Sequence, residues 1–141
     1  MVRLALYKGK GTIANAFIRK WTGSQYSHCE LVIDGKWYSS SVMDGGVRCK
    51  LIELHPENWD FVELPWADGD AIVEYFKQTD YQKYGWMTLI RSQLFNRALK
   101  DKDTQFCSEW CASALGIPSS PTYSPVMLYT MCTWLTRYHR K

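Results

Sequence analysis

An α+β fold, with a sheet packed against helices, is what the order of patterns along this 141-residue chain predicts. Three observations carry that expectation. Runs rich in β-branched and aromatic residues, broken by turn residues, crowd into the stretch before Pro65. Two of those runs flank Asp34–Gly35, a dipeptide suited to the two-residue turn of an antiparallel hairpin. From Asp68 onward the apolar residues recur at helical spacing.

Taken in order, residues 2–7 ("VRLALY") read as a first strand. Residues 12–22 place Ile13, Phe17, Ile18 and Trp21 on one helical face, and Gly23 ends that helix. "YSHCELVIDGKWYSSS" gives two strands around the Asp34–Gly35 turn. Asp44–Gly46 marks a further turn, followed by the strand "VRCKLIEL". "WDFVELP" is another strand, stopped by Pro65. A helix follows with Asp68 or Asp70 as its N-cap and Ile72, Val73 and Phe76 on its apolar face. "YGWMTLIRSQLFNRAL" and "DTQFCSEWCASALGIP" are two more helices, the second closed by Gly116 and Pro118. "YSPVMLYTMCTWLTRY" is the last, with Pro125 in its first turn. No repeat or low-complexity linker divides the chain, so residues 1–141 are expected to form a single domain able to bury its own core.

Composition removes several function classes. Seventeen basic against 14 acidic residues leave a net charge of +3, too small an excess for a nucleic-acid footprint. The one dense basic patch, the terminal "RYHRK", reads as a solvated tail. No run approaches the ~18 apolar residues of a membrane span. The opening "MVRLALYKGKG" lacks the form of a secretory signal. Five cysteines (Cys29, Cys49, Cys107, Cys111 and Cys132) show neither zinc-site spacing nor the density of a disulfide scaffold. Free thiols in a reducing cytoplasm are the expectation, with no metal and no cofactor, since Cys107 and Cys111 alone supply two ligands at most.

Those two cysteines frame the chemical question. With Asp103 or Thr104 as N-cap, Cys107 falls in the first helical turn, where free N–H groups and the helix dipole favour a thiolate. Cys111 lies one turn deeper and loses most of that field, so Cys107 is the better nucleophile. The plainer alternative is a buried helix whose cysteines are merely small hydrophobes. A nucleophile needs a base, and the chain has three histidines. His139 is in the basic tail and His55 precedes Pro56 in a loop. His28 opens a strongly patterned strand, where a rigid scaffold can aim it.

Here the residues resemble a known family. "YSHCELVI", followed far downstream by "FCSEWCASALGIP" and "YSPVMLY", is similar to the circularly permuted NlpC-type papain-like cysteine hydrolases of bacterial or phage origin. Ser27–His28, Phe106–Glu109 and "SPVML" are the matching pieces. "KYGW" at Lys83–Trp86 and "SSSVMDGGVR" add to them. The order matters most, because in the permuted group the His strand comes before the Cys helix, as here. The resemblance implies a permuted papain-like fold with the Cys helix C-terminal to the His strand. It also implies Cys107 as nucleophile, His28 as general base, and the Cys107 backbone N–H as part of an oxyanion hole.

A third group should orient the imidazole, and two positions compete. Glu30 lies two residues after His28, on the same face of a straight strand. Ser40, with Ser39 beside it, sits across the hairpin, where relatives often place this residue. A carboxylate stabilises an imidazolium better than a hydroxyl does, but the adjacent strand offers the better reach. Tyr26 and Tyr84 are candidates to line a cleft, Glu109 for a site role, and Arg48 to touch a substrate carboxylate. By resemblance the expected substrate is an amide bond in a peptidoglycan-type peptide. A lipid acyl group, as in lecithin:retinol acyltransferase-like relatives, is the rival. A catalytically silent binding module on the same fold is the third possibility.

Overall fold

A computed structural model of the chain describes residues 1–9, 25–41, 46–52, 55–81, 102–118 and 123–140. Their architecture is α+β. Five strands, β1 (Val2–Tyr7), β2 (His28–Ile33), β3 (Lys36–Ser41), β4 (Gly46–Lys50) and β5 (Trp59–Glu63), form one antiparallel sheet in the order β4-β3-β2-β1-β5. Helices α1 (Gly69–Tyr81), α2 (Lys102–Ala114) and α3 (Pro125–His139) pack against it. The expected helices over 12–22 and 84–99, and Tyr84 with them, lie outside the described residues, as do Asp44 and Gly45 of the expected turn.

Register follows from which residues must be dry. In β1, Leu4 and Leu6 stand opposite Leu31 and Cys29 of β2, and all four are fully buried on the helix side. Ala5 between them faces the other side, where Val32 and Trp37 form a smaller cluster with Trp59 and Phe61. A one-residue slip would exchange these two sets, so the pattern pins the pairing. The rings of that second face meet edge to face. Trp37 lies 4.8 Å from Trp59 and 5.9 Å from Phe61 between centroids. The β2–β3 turn has φ of 47° at Asp34 and 78° at Gly35, the left-handed pair that a two-residue hairpin turn demands. β4 stops at Lys50 instead of running on through Leu51, which is 82% exposed.

The helix ends are written in side chains. Asp68, not Asp70, caps α1, its Oδ1 accepting from the N–H groups of Asp70 (2.9 Å) and Ala71 (3.1 Å). Ser124 caps α3 by accepting from Met127 N, with Pro125 in the first turn. At the end of α2, Gly116 adopts φ 68°. Its N–H reaches Ser113 O while Ile117 N–H reaches Ala112 O, the paired bonds of a Schellman stop. The start of α2 differs from expectation. The described helix spans Lys102–Ala114, so Asp103 and Thr104 lie inside it and neither is its N-cap. The terminal basic residues also differ, since Arg137 and His139 belong to the last turn of α3 rather than to a tail.

Side-chain bonds tie the layers together. Trp110 of α2 donates its indole N–H to Thr79 of α1 at 3.1 Å. Trp66 does the same to Thr136 of α3 at 3.0 Å, and that hydroxyl donates onward to Glu63 O in β5 at 3.1 Å.

The Schellman stop yields a stability test. An added Cβ at Gly116 meets nothing within 4 Å, so only its backbone conformation matters. Gly116→Ala should lower the urea midpoint by an amount worth about 1 kcal/mol, and Gly116→Asn by less, with an unchanged slope.

Candidate active site

Three consecutive residues of β2 build most of the site. Side chains alternate along a strand, so His28 and Glu30 share one face and Cys29 takes the other. Glu30 stands opposite Ala5, on the face away from the helices, and Cys29 opposite Leu6 in the helix-side core. Nε2 of His28 meets Oε1 of Glu30 at 3.0 Å. The same imidazole is hydrogen-bonded to the thiol of Cys107 in α2.

Glu30 is 1% exposed, and a carboxylate so buried needs partners. Arg48 of β4 supplies a two-pronged grip, Nη1 to Oε2 and Nη2 to Oε1, each at 2.7 Å. Burial works to raise the Glu30 pKa, but the Arg48 and His28 hydrogen bonds overcome it and hold the group below its ordinary value. Arg48 is thus committed to Glu30, not open to a substrate carboxylate. Ser40 is buried on β3 and makes no hydrogen bond with His28; of the two expected orienting groups, only Glu30 touches the ring. Alternation explains this, since Ser40 follows Tyr38 onto the helix-side face. Its neighbour Ser39 donates instead to Cys29 O at 2.8 Å.

Cys107 is fully buried and lies in the second turn of α2, not the first. An N–H this deep belongs to the helix ladder, so neither the end-of-helix field nor the oxyanion donor expected at Cys107 is available there. Its acidity comes from neighbours. Burial pushes the thiol up. Against it act the Cys29 thiol, with Sγ atoms 3.7 Å apart, then the charge and hydrogen bond of His28, and the Cys29 backbone N–H. Together they bring Cys107 down to about 5. For His28, burial lowers the pKa, but the Cys107 thiolate and Glu30 raise it to about 10. Between those values the pair is a thiolate and an imidazolium. The charges alternate from Arg48 through Glu30 and His28 to Cys107.

Two other buried thiols, Cys29 and Cys132, move the opposite way. Burial first, then Cys107 and Cys111, push Cys29 well above its ordinary value, so it stays a donor. Cys132 is raised to about 12 by burial and the adjacent Cys111. Cys29 was not expected to take part, and its position one residue after His28 was the available signal. Tyr26 is occupied too. Its hydroxyl donates to Asp60 at 2.8 Å, and burial with that carboxylate raises it to about 12. Ser27 Oγ, next to His28, is buried without a hydrogen-bond partner. Among the described residues no group of three or more His, Cys, Asp and Glu is arranged to hold a metal ion.

Comparison of the chain with profiles of protein families, with curated proteins and with solved structures found no match. The chemistry of the site has to come from its own residues.

Two measurements check this electrostatic account. Alkylation of Cys107 against pH should reach half its maximum near pH 5, the thiol's own value, instead of near 9. Glu30→Gln removes the carboxylate that holds the imidazolium. The His28 pKa should then fall and that of Cys107 rise, narrowing the ion-pair window from both sides. Cys29→Ala removes one weak donor and should move only the acid limb, upward by less than about one pH unit, while Cys29→Ser should restore it. An unmoved acid limb in Cys29→Ala would rule out the sulfur contact as a source of acidity.

Proposed function

We propose that this protein is a cysteine hydrolase that works through an acyl-enzyme on Cys107. In this reading it adopts a permuted papain-like fold and cleaves an amide bond, in a peptidoglycan-type peptide by motif resemblance. The observation that carries the reading is the hydrogen-bonded series Cys107–His28–Glu30, in which thiol and imidazole shift toward opposite charge. The thiolate attacks the carbonyl carbon. The imidazolium gives its proton to the departing amine, and as neutral base then activates the water that frees the acyl group. Glu30, fixed by Arg48, holds the ring in place while its charge changes.

A lipid acyl group is the second reading, and one observation favours it. An apolar groove of about 640 Å³ runs along α3 between Tyr123 and Trp134. It begins at Tyr123, whose carbonyl accepts the hydroxyl of Ser108, the residue after Cys107. A silent binding module is favoured by the full burial of the sulfur, since only the His28 side chain of the pair, 21% exposed, meets solvent.

Mass spectrometry of the protein mixed with a panel of peptide amides and lipid acyl esters separates the three. An acyl adduct on the Cys107 peptide, lost in Cys107→Ala, names the substrate class by its mass. Turnover should drop by roughly a thousandfold or more in Cys107→Ala and His28→Ala, and stay near native in Ser40→Ala. Iodoacetamide at pH 6 should label Cys107 ahead of the exposed Cys49. No adduct from any donor, together with an unlabelled Cys107, is the result of a silent module.

A further inference from the structure

α3 has two apolar faces, and folding uses only one. Pro125, Leu128, Cys132 and Thr136 are buried against the rest of the protein. Met127, Trp134 and Tyr138 are 47%, 58% and 65% exposed. At 100° per residue these three fall within about 20° of a single line down the helix. The two rings stack on each other in the open, 5.6 Å between centroids and 16° from parallel. An apolar stripe contributing nothing to the core marks a contact surface.

The charges around the stripe say what it contacts. No Asp or Glu occurs anywhere after Glu109, while Arg137, Arg140 and Lys141 close the chain. Arg137 and Arg140 are exposed, and no carboxylate among the described residues pairs with either. By helical geometry Arg137 projects about 80° from the Met127 line, beside the stripe and away from the buried face. Aromatic rings with an exposed arginine beside them, and a second at the helix end, suit the boundary between acyl chains and anionic headgroups. A second copy of the chain suits this surface less well. One methionine and two rings offer a few hundred Å², short of the ~800 Å² that each partner of a stable dimer contributes. No helix among the described residues is long and apolar enough to cross a membrane, so the contact is with a surface.

We infer that α3 docks the protein on an anionic lipid surface, with Met127, Trp134 and Tyr138 entering the interface and Arg137 and Arg140 meeting the headgroups. The inference stands whichever bond Cys107 attacks, and equally if it attacks none.

Co-sedimentation with vesicles tests it without any substrate. The wild-type chain should bind vesicles containing phosphatidylglycerol, bind phosphatidylcholine vesicles far less, and be released by high salt. Replacing Met127, Trp134 and Tyr138 together with serine should weaken binding roughly tenfold or more, and Arg137→Gln with Arg140→Gln similarly. Circular dichroism should be unchanged in both variants, and the alkylation rate of Cys107 unchanged in the arginine variant. The salt dependence of the wild type gives the same answer should the serine variant not fold. Absence of wild-type binding, equal binding to both vesicle types, or unchanged binding in the arginine variant would overturn the inference. So would a dimer in light scattering that the serine variant abolishes, because a second copy would then cover the stripe.

Discussion

A carboxylate taken fully out of water is costly, and much of the site is arranged around meeting that cost. Glu30 sits in the middle of β2, inside a five-stranded sheet, with 1% of its surface exposed. Left alone there, it would take up a proton or unfold the strand. The Arg48 fork, reaching from β4, keeps it ionised and ties the edge strand to the centre of the sheet. Truncating Arg48 would leave the carboxylate with the His28 hydrogen bond but without its guanidinium, and breaking comparable buried pairs costs on the order of 3–5 kcal/mol. An apolar pair in these positions would pack at least as well, so stability alone does not explain why a charge is kept here. Its use is as a fixed negative end against which His28 can hold a proton.

That fixed end explains why Cys107 differs from Cys29 and Cys132. All three are buried, and burial pushes a thiol toward its neutral form. Cys29 and Cys132 have nothing to oppose that push strongly. Cys107 alone has an imidazolium beside it, and the imidazolium persists because Glu30 is behind it. The field at the sulfur therefore comes from a side chain on the sheet and not from the end of its own helix. The helix-terminus field that favours Cys107 in the sequence is a different source from the one that His28 and Glu30 supply.

Local chemistry in the sequence was legible because it is local. Asp34–Gly35, Asp68, Ser124–Pro125 and Gly116–Pro118 act within four residues of themselves, and each marks the turn or helix end that it specifies. His28 and Glu30 were readable as one face because strand alternation is equally local. The start of α2 was misread because Asp103 and Thr104 are good caps in isolation, and a helix can run straight through such residues when its flanks support it. The Arg48 fork and the contact of Cys29 with Cys107 were invisible for a different reason. They depend on how β4 and α2 meet β2, and no spacing in the chain encodes that. The second face of α3 was hidden by the same kind of limit. Periodicity shows that Met127, Leu128, Trp134 and Leu135 are apolar, but only packing shows which of them the core uses.

The segment His28–Cys29–Glu30 also links the fold to the site more tightly than separate residues would. One face of this strand carries the imidazole and the carboxylate that fixes it, while the residue between them brings a sulfur to Cys107 from the other face. All three positions are set by the pairing of Tyr7, Leu6 and Ala5 with them. A slip of one residue would turn Glu30 into the helix-side core and move Cys29 to the face of Ala5, destroying the ion pair and the packing at once. Selection for a well-packed β1–β2 pair would then also preserve the charge series, and damage to either would show in both. In such a site the β1–β2 register sets the charge series, and the Cys29 backbone that holds the register also touches the Cys107 sulfur.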